Sequence, residues 1–160
     1  MYFMKRVFGR YGAENMPYLT RFKLFPMTPW GQPYLHIFHR GDYDRAFHDH
    51  PYDFWTFPLR TYYEDVLNLV TGRITRNAVT AWRWHFRPAE YTHIQMGSAK
   101  KNDESYLWRV HNRFNGPTIT FLWRKKTRRA WGFWRLAHTT VPEGDELYIW
   151  THHKEYENVA

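Results

Sequence analysis

Strand-length runs of aromatic and β-branched residues, each closed by a turn signal, recur along this chain and leave little room for helices. Residues 34–40 read as a strand, closed by the Gly41-Asp42-Tyr43-Asp44 turn. Residues 54–63 and 66–70 follow, and Thr71-Gly72 turns the chain into 73–80. Residues 81–86 alternate, with Trp82, Trp84 and Phe86 on one face and Arg83, His85 and Arg87 on the other. That period predicts a half-buried strand with its aromatic face inward. Residues 97–105 are polar and rich in turn formers, hence a loop, and 106–110, 118–123, 130–136 and 146–150 supply four more strands. The one helix candidate lies near 13–25, limited by Pro17 and Pro26. Many short strands between turns predict a sandwich or barrel rather than βαβ units, so the expected class is all-β.

Nine Trp, twelve Tyr and twelve Phe carry too much rigid apolar surface for a disordered chain. A length of 160 residues is one domain's worth. The expectation is therefore a single domain over 1–160, with its core at about 34–136 and an acidic C-terminal tail at 143–160. There is no cysteine, so neither a disulfide framework nor a thiolate site can form, which suits a reducing cytoplasm. No apolar run reaches the roughly 18 residues of a membrane span, and Met1-Tyr2-Phe3-Met4-Lys5-Arg6 lacks the apolar core of a signal peptide. A cytoplasmic protein without a membrane association is expected.

The formal charge of +8 is unevenly spread. Residues 1–142 hold 22 Lys or Arg against 10 acids, whereas the tail holds Lys154 against Glu143, Asp145, Glu146, Glu155 and Glu157. Two readings stand with equal weight. One is an anionic partner, either a nucleic acid or a small phosphorylated or carboxylated molecule. The other is a solvated surface with the tail folded over part of it.

His48-Asp49-His50 carries the clearest chemistry. Residues two apart on a strand share a face, so both imidazoles project together while Asp49 points away. They can share one metal ion, with His93 as a third ligand from a later strand. Three histidines suit Fe, Mn, Ni or Zn and leave coordination positions open for water or substrate.

These residues stand in two motifs, Phe47-His48-Asp49-His50-Pro51 and Arg87-Pro88-Ala89-Glu90-Tyr91-Thr92-His93, and the pair resembles the cupin superfamily. Its first motif runs His-x-His with a Glu three or four residues on; its second runs Pro-x-Gly-x-x-His. More closely, the chain is similar to small cupin-like proteins of phages and bacteria. Tyr34-Leu35-His36, Arg45 to Pro51, Phe86-Arg87-Pro88-Ala89 and Trp131-Gly132-Phe133-Trp134 carry that likeness, within residues 34 to 134. The resemblance implies a jelly-roll barrel, the double-stranded β-helix, with the metal site inside. If the chain is phage-encoded, its compartment would be the host cytoplasm.

Two departures matter. Phe54 and Trp55 stand at the positions of the first-motif Glu, which favours a three-histidine site over a four-ligand one. Asp53, Glu64 and His85 are the candidates to replace the missing carboxylate. Glu90 stands at the second-motif Gly, on the rim of the turn.

Among the remaining residues, His85, Glu64 and Tyr62 are the candidates for proton transfer, and Arg83 and Arg87 for substrate charge. Adjacent Glu64 and Asp65 point apart on a strand and make a poor acid–base pair. His36 and His39, three apart, face opposite sides and cannot both join the site. His111, His138, His152 and His153 have no partner at ligand spacing, and the adjacent pair His152-His153, split across a strand, reads as surface. Arg124-Lys125-Lys126-Thr127-Arg128-Arg129 reads as a solvated turn ahead of a grip on a phosphate backbone.

The resulting expectation is a mononuclear metal-dependent cupin enzyme, with oxygenase favoured among reactions by analogy with three-histidine cupins, acting on a small polar or anionic molecule. The alternative is a non-catalytic barrel binding a nucleotide, a sugar or a nucleic acid. A homo-oligomer fits either. A structural or host-interaction role in a phage has no residue-level support.

Overall fold

The computed structural model describes residues 4–10, 17–39, 41, 46–96, 117–136 and 148–157. The strand expected at 106–110, the loop at 97–105, His111 and His138 lie outside the described residues. Two six-stranded sheets contain β1 (Met4–Arg10), β2 (Pro17–Lys23), β3 (Gln32–Phe38), β4 (Phe47–His48), β5 (Phe54–Pro58), β6 (Tyr62–Leu67), β7 (Ile74–Val79), β8 (His85–Arg87), β9 (His93–Met96), β10 (Thr118–Arg124), β11 (Gly132–Leu136) and β12 (Tyr148–His152). The first sheet runs β1-β2-β3-β10-β5-β8 and the second β12-β11-β4-β9-β6-β7, with antiparallel pairing throughout. From β3 onward the chain passes repeatedly from one sheet to the other, which is the jelly-roll route. The all-β jelly-roll architecture expected from the sequence is the one observed.

Side-chain alternation explains how the sheets face each other. Gln32, Tyr34, His36 and Phe38 of β3 are buried, and the residues between them are half-exposed. One core cluster joins Leu19 and Phe38 of the first sheet to Tyr62 and Val79 of the second. Another gathers Tyr34, Phe54 and Leu122 around Tyr52. Each buried aromatic of this kind contributes a few kcal/mol to the fold. Between the sheets lies a cavity lined by both apolar and polar side chains.

Several expectations need correction. The helix candidate near 13–25 is strand β2 over its described part, because the alternation through Leu19, Arg21 and Lys23 pairs it with β3. The described helix is instead α1 (His153–Glu157), near the C-terminal end. The run 54–63 is broken after Pro58 and divides between β5 and β6, which belong to different sheets. His152 and His153, expected at the surface, are half-buried, and His153 stacks on Trp131 with centroids 4.6 Å apart.

The largest correction concerns residues 81–87. Residues 81–83 form a turn in which Trp82 takes a left-handed conformation (φ 61°), tied by Trp82 N–H to the Pro58 carbonyl at 2.9 Å. Only His85–Arg87 extends as a strand. It pairs with β5 so that Arg87 stands opposite Phe54 and His85 opposite Thr56. Those β5 residues are buried, so the face with His85 and Arg87 follows them inward, reversing the expected register. Trp82 and Trp84 are 69% and 54% exposed. They gather with Phe57 on the outer face of the first sheet, where Trp55 also packs against Phe86 at 5.0 Å.

Candidate metal centre

Asp49 fixes the geometry of the two histidines that flank it. Its side chain points away from them, as the alternation predicts, and is buried beneath the second sheet. There Asp49 Oδ1 accepts Gly132 N–H at 2.8 Å, and Oδ2 accepts Trp150 Nε1–H at 3.2 Å and ion-pairs with Arg129 at 3.0 Å. Asp49 N–H in turn donates to the Gly132 carbonyl at 3.1 Å. A Cβ on Gly132 would collide with the Thr151 carbonyl and the Trp150 ring, so the close approach requires glycine here. The Trp-Gly-Phe-Trp segment is thus the clamp that holds the His-x-His turn.

The second motif holds the same turn from the other side. His50 N–H donates to the Ala89 carbonyl at 2.9 Å, and Ala89 N–H donates to Asp53 Oδ1 at 2.8 Å. Arg128 bridges Asp53 and Glu90 at 2.8 and 2.6 Å. Its hydrogen bonds hold both carboxyls below their usual range. Asp53 is therefore committed to the turn, and Glu90 sits on its rim as expected.

His48 on β4 and His93 on β9 are paired across neighbouring strands, and His50 follows β4. Their rings converge, with centroids 4.9 to 5.3 Å apart. Ligand-capable nitrogens of all three lie within 4.8 Å of one another, and His50 Nε2 faces His93 Nε2 at 2.9 Å. Burial keeps the His50 pKa well below its ordinary value, helped by the neighbouring His93, His48, Arg21 and Arg129. A neutral imidazole offers the lone pair that coordination needs. These three side chains could hold one metal ion.

Glu64 stands behind His93. It is buried on β6, with Oε1 3.1 Å from His93 Nδ1. Its Oε2 accepts Arg87 Nη2–H at 3.0 Å and Tyr91 O–H at 2.9 Å, and Tyr62 O–H reaches Oε1 at 3.3 Å. Burial alone would raise its pKa, but facing His93, Arg87 and Tyr91 outweighs that and holds it at about 2. Tyr62 is pushed the other way, well above its ordinary value, by burial and by the Glu64 charge.

The three histidines, Glu64 and Tyr62 line a cavity of about 410 Å³ between the sheets. The other sequence candidates do not reach it. Arg83 is exposed on the turn, and His85 Nε2 bonds the Thr80 carbonyl at 2.9 Å. Arg87 is inward but spends its donors on Glu64 and on the Phe86 carbonyl. The expectation that Arg83, His85 and Arg87 share the mouth with the histidines is corrected: the turn at 81–83 ends the strand short, and Glu64 captures Arg87.

Different cations line the cavity, namely Arg21, Lys23 and Arg124. Arg21 Nε–H donates to His36 Nε2 at 2.9 Å. Burial and this guanidinium keep the His36 pKa well below its ordinary value. The alternation Leu19-x-Arg21-x-Lys23 was the available signal, masked by reading that segment as helical. The basic run is divided: Arg124 enters the cavity, Arg128 and Arg129 are ion-paired within the turn, and Lys125 and Lys126 are exposed. No helix among the described residues is long and apolar enough to cross a membrane.

Two antiparallel sheets in jelly-roll order, with a histidine cluster between them, define a protein of the cupin fold. Solved structures of that fold superpose on the chain. For Fe(II) HppE the TM-score is 0.51 at 12% identity, covering 76% of this chain and 56% of that one. For the capsular polysaccharide assembling protein CapF from Staphylococcus aureus it is 0.53 at 12% identity, covering 81% and 30%. For the DMSP lyase DddQ from Ruegeria pomeroyi DSS-3 it is 0.50 at 20% identity, covering 89% and 64%. The chain spans less than two thirds of each of these proteins, and identities this low show the fold alone. No family model matches the chain, and no curated protein matches it by sequence.

Proposed function

We propose that this chain is a mononuclear metal-dependent enzyme of the cupin fold, an oxygenase before other reaction classes, acting on a small polar or anionic molecule. His48, His50 and His93 would hold one divalent ion, drawn from Fe, Mn, Ni or Zn. The observation that carries the reading is the convergence of three imidazoles at one wall of the cavity between the sheets. An ion there would supply a Lewis-acid or redox centre with open positions.

The protein's own groups do the rest. Glu64 holds the His93 ring by Nδ1, so that Nε2 is directed at His50 and the cavity, a role carboxylates commonly play behind histidine ligands. Tyr62, on the cavity wall with its hydroxyl at Glu64, is the group proposed to pass a proton to or from substrate. Phe54 and Phe133 pack against the imidazoles, with ring centroids 4.7 Å from His50 and 5.9 Å from His48, and back the site with apolar rings.

Elemental analysis of the purified protein tests this directly. About one divalent ion per chain is expected, with sharp and similar losses in His48→Ala, His50→Ala and His93→Ala. His152→Ala should keep its metal. Wild-type protein that takes up no divalent ion from solution overturns the proposal.

A further inference from the structure

We infer that the outer face of the first sheet is a docking surface for a second copy of this chain, centred on Trp82 and on the groove beside Trp84. It lies on the far side of the sheet from the histidine cluster and stands whether or not that cluster holds a metal.

Strand alternation leaves this face without charge. Every outward position of β3, β10, β5 and β8 is apolar. Leu35, Phe121 and Phe57 stand in one row across the ladders, and Pro33, Trp123, Trp55 and Phe86 in the next. Outward positions of an antiparallel sheet that meets water are ordinarily polar. The second sheet follows that rule where Asp65 and Arg76 pair at 2.7 Å. On the first sheet the rings are instead contiguous: Phe57 lies 5.2 Å from Trp84 and 6.2 Å from Trp82, and Trp55 lies 5.0 Å from Phe86. Trp55, Trp82, Trp84, Phe86 and Phe121 are between 39% and 69% exposed. With about 200 Å² in each whole aromatic side chain, these five present roughly 500 Å² of apolar surface. A patch of that size is large for a lone chain and commonly marks a site of association. A standard interface covers about 800 Å² of each partner, of which about 65% is apolar between identical subunits. The apolar area that a stable dimer needs is therefore the area on offer.

Two details make the face self-complementary. Trp82 is its most exposed ring, and it is displayed by a left-handed backbone (φ 61°) that is costly for a bulky side chain. Folding gains little from a ring left in water, so the strain points to a contact made outside the chain. Beside it, a groove of about 330 Å³ is lined by Pro33, Phe57, Trp84, Phe121 and Trp123. That is room for one indole ring. A projection and a recess on one face suit a two-fold axis, which sets each against its counterpart in the other copy. Tryptophans seated in pockets are the usual anchors of such contacts. A nucleic acid is the poorer occupant, because phosphates call for cations and none stands at the outward positions of these strands.

The test is sedimentation velocity of the full chain across a concentration series. Wild type should pass from monomer to dimer below about 100 µM. Trp82→Gly removes the ring while freeing the left-handed backbone, so it should fold at least as well and weaken association by about 30-fold or more. Trp84→Asp, which sets a carboxylate in the groove, should be monomeric throughout the series. Val70→Ser, at an exposed apolar residue of the β6–β7 turn, should dimerise like wild type. Samples dilute enough to keep copies apart should give Trp84→Asp and wild type similar melts, which separates lost association from lost folding. Added salt should tighten the dimer, since each chain carries a formal charge of +8. A wild type that stays monomeric up to about 100 µM, a dimer indifferent to both tryptophan substitutions, or one that salt dissolves overturns the inference. So does a monomeric wild type that binds a soluble oligosaccharide or a single-stranded oligonucleotide and loses it in Trp84→Asp.

Discussion

Glu64 and His93 meet diagonally across the β6–β9 ladder, with Oε1 3.1 Å from Nδ1, while the other nitrogen of His93 faces His50 Nε2 at 2.9 Å. A buried carboxylate thus stands directly behind a ring that opens on the cavity.

Glu64→Gln should consequently lower the affinity for divalent metal by about 10- to 100-fold while the fold persists. His93→Ala should abolish binding at the same metal concentrations. Competition against a chromogenic chelator reads both. Equal affinity in Glu64→Gln and wild type would mean that the contact does not orient His93.

The outward register of residues 81–87 makes a stability prediction opposite to that from alternation alone. Trp84→Ala should cost less than about 1 kcal/mol, as for other exposed positions. Phe133→Ala, buried between His48 and Trp131, should cost about 3–5 kcal/mol. Urea unfolding of the two variants beside wild type makes the comparison, and a larger loss in Trp84→Ala would restore the inward face.

Acid should destabilise the metal-free protein through His36. Burial, aided by Arg21, holds its folded pKa well below the ordinary 6.5, so the unfolded chain takes up a proton first as pH falls. The stability present above pH 6.5 is therefore lost below it, down through the folded value, by up to about 1.4 kcal/mol per pH unit for each such histidine. His36→Asn should flatten the dependence by one histidine's share. Unfolding midpoints at neutral and mildly acidic pH measure the slope, and identical slopes in variant and wild type count against the assignment.

The clamp beneath the His-x-His turn should be costly to remove. Asp49→Ala leaves Gly132 N–H and Trp150 Nε1–H without their acceptor, takes the carboxylate from Arg129, and should cost about 3 kcal/mol or more. Gly132→Ala should destabilise by about 1–3 kcal/mol through the clash with the β12 backbone. Both should weaken metal binding although neither touches the histidine rings. Full metal affinity in Asp49→Ala would show that the turn holds its shape unaided.

Much of this was legible in the chain itself. Runs at period two, broken by Gly and Pro, determined an all-β fold, because strand geometry is local: each residue's neighbours two places away share its face. The same local rule turned Asp49 away from His48 and His50. What it left open was which face of each strand looks inward, since that depends on the partner strand and a shift of one residue inverts it. Residues 82–87 show the point: the chain turns at 81–83 and leaves Trp82 and Trp84 exposed, while pairing of His85–Arg87 with β5 sends Phe86 outward and draws Arg87 to Glu64. The ends of Glu64's network, on β6, β8 and β9, are far apart in sequence and adjacent in space. So are the cations of β2 and β10, which no spacing rule links. The amino-acid order by itself determined that strands dominate, brought the two histidine motifs forward as one ligand set and excluded thiol chemistry. Tertiary structure alone decided which charges face the cavity, because burial and ion pairing are settled between elements rather than along them.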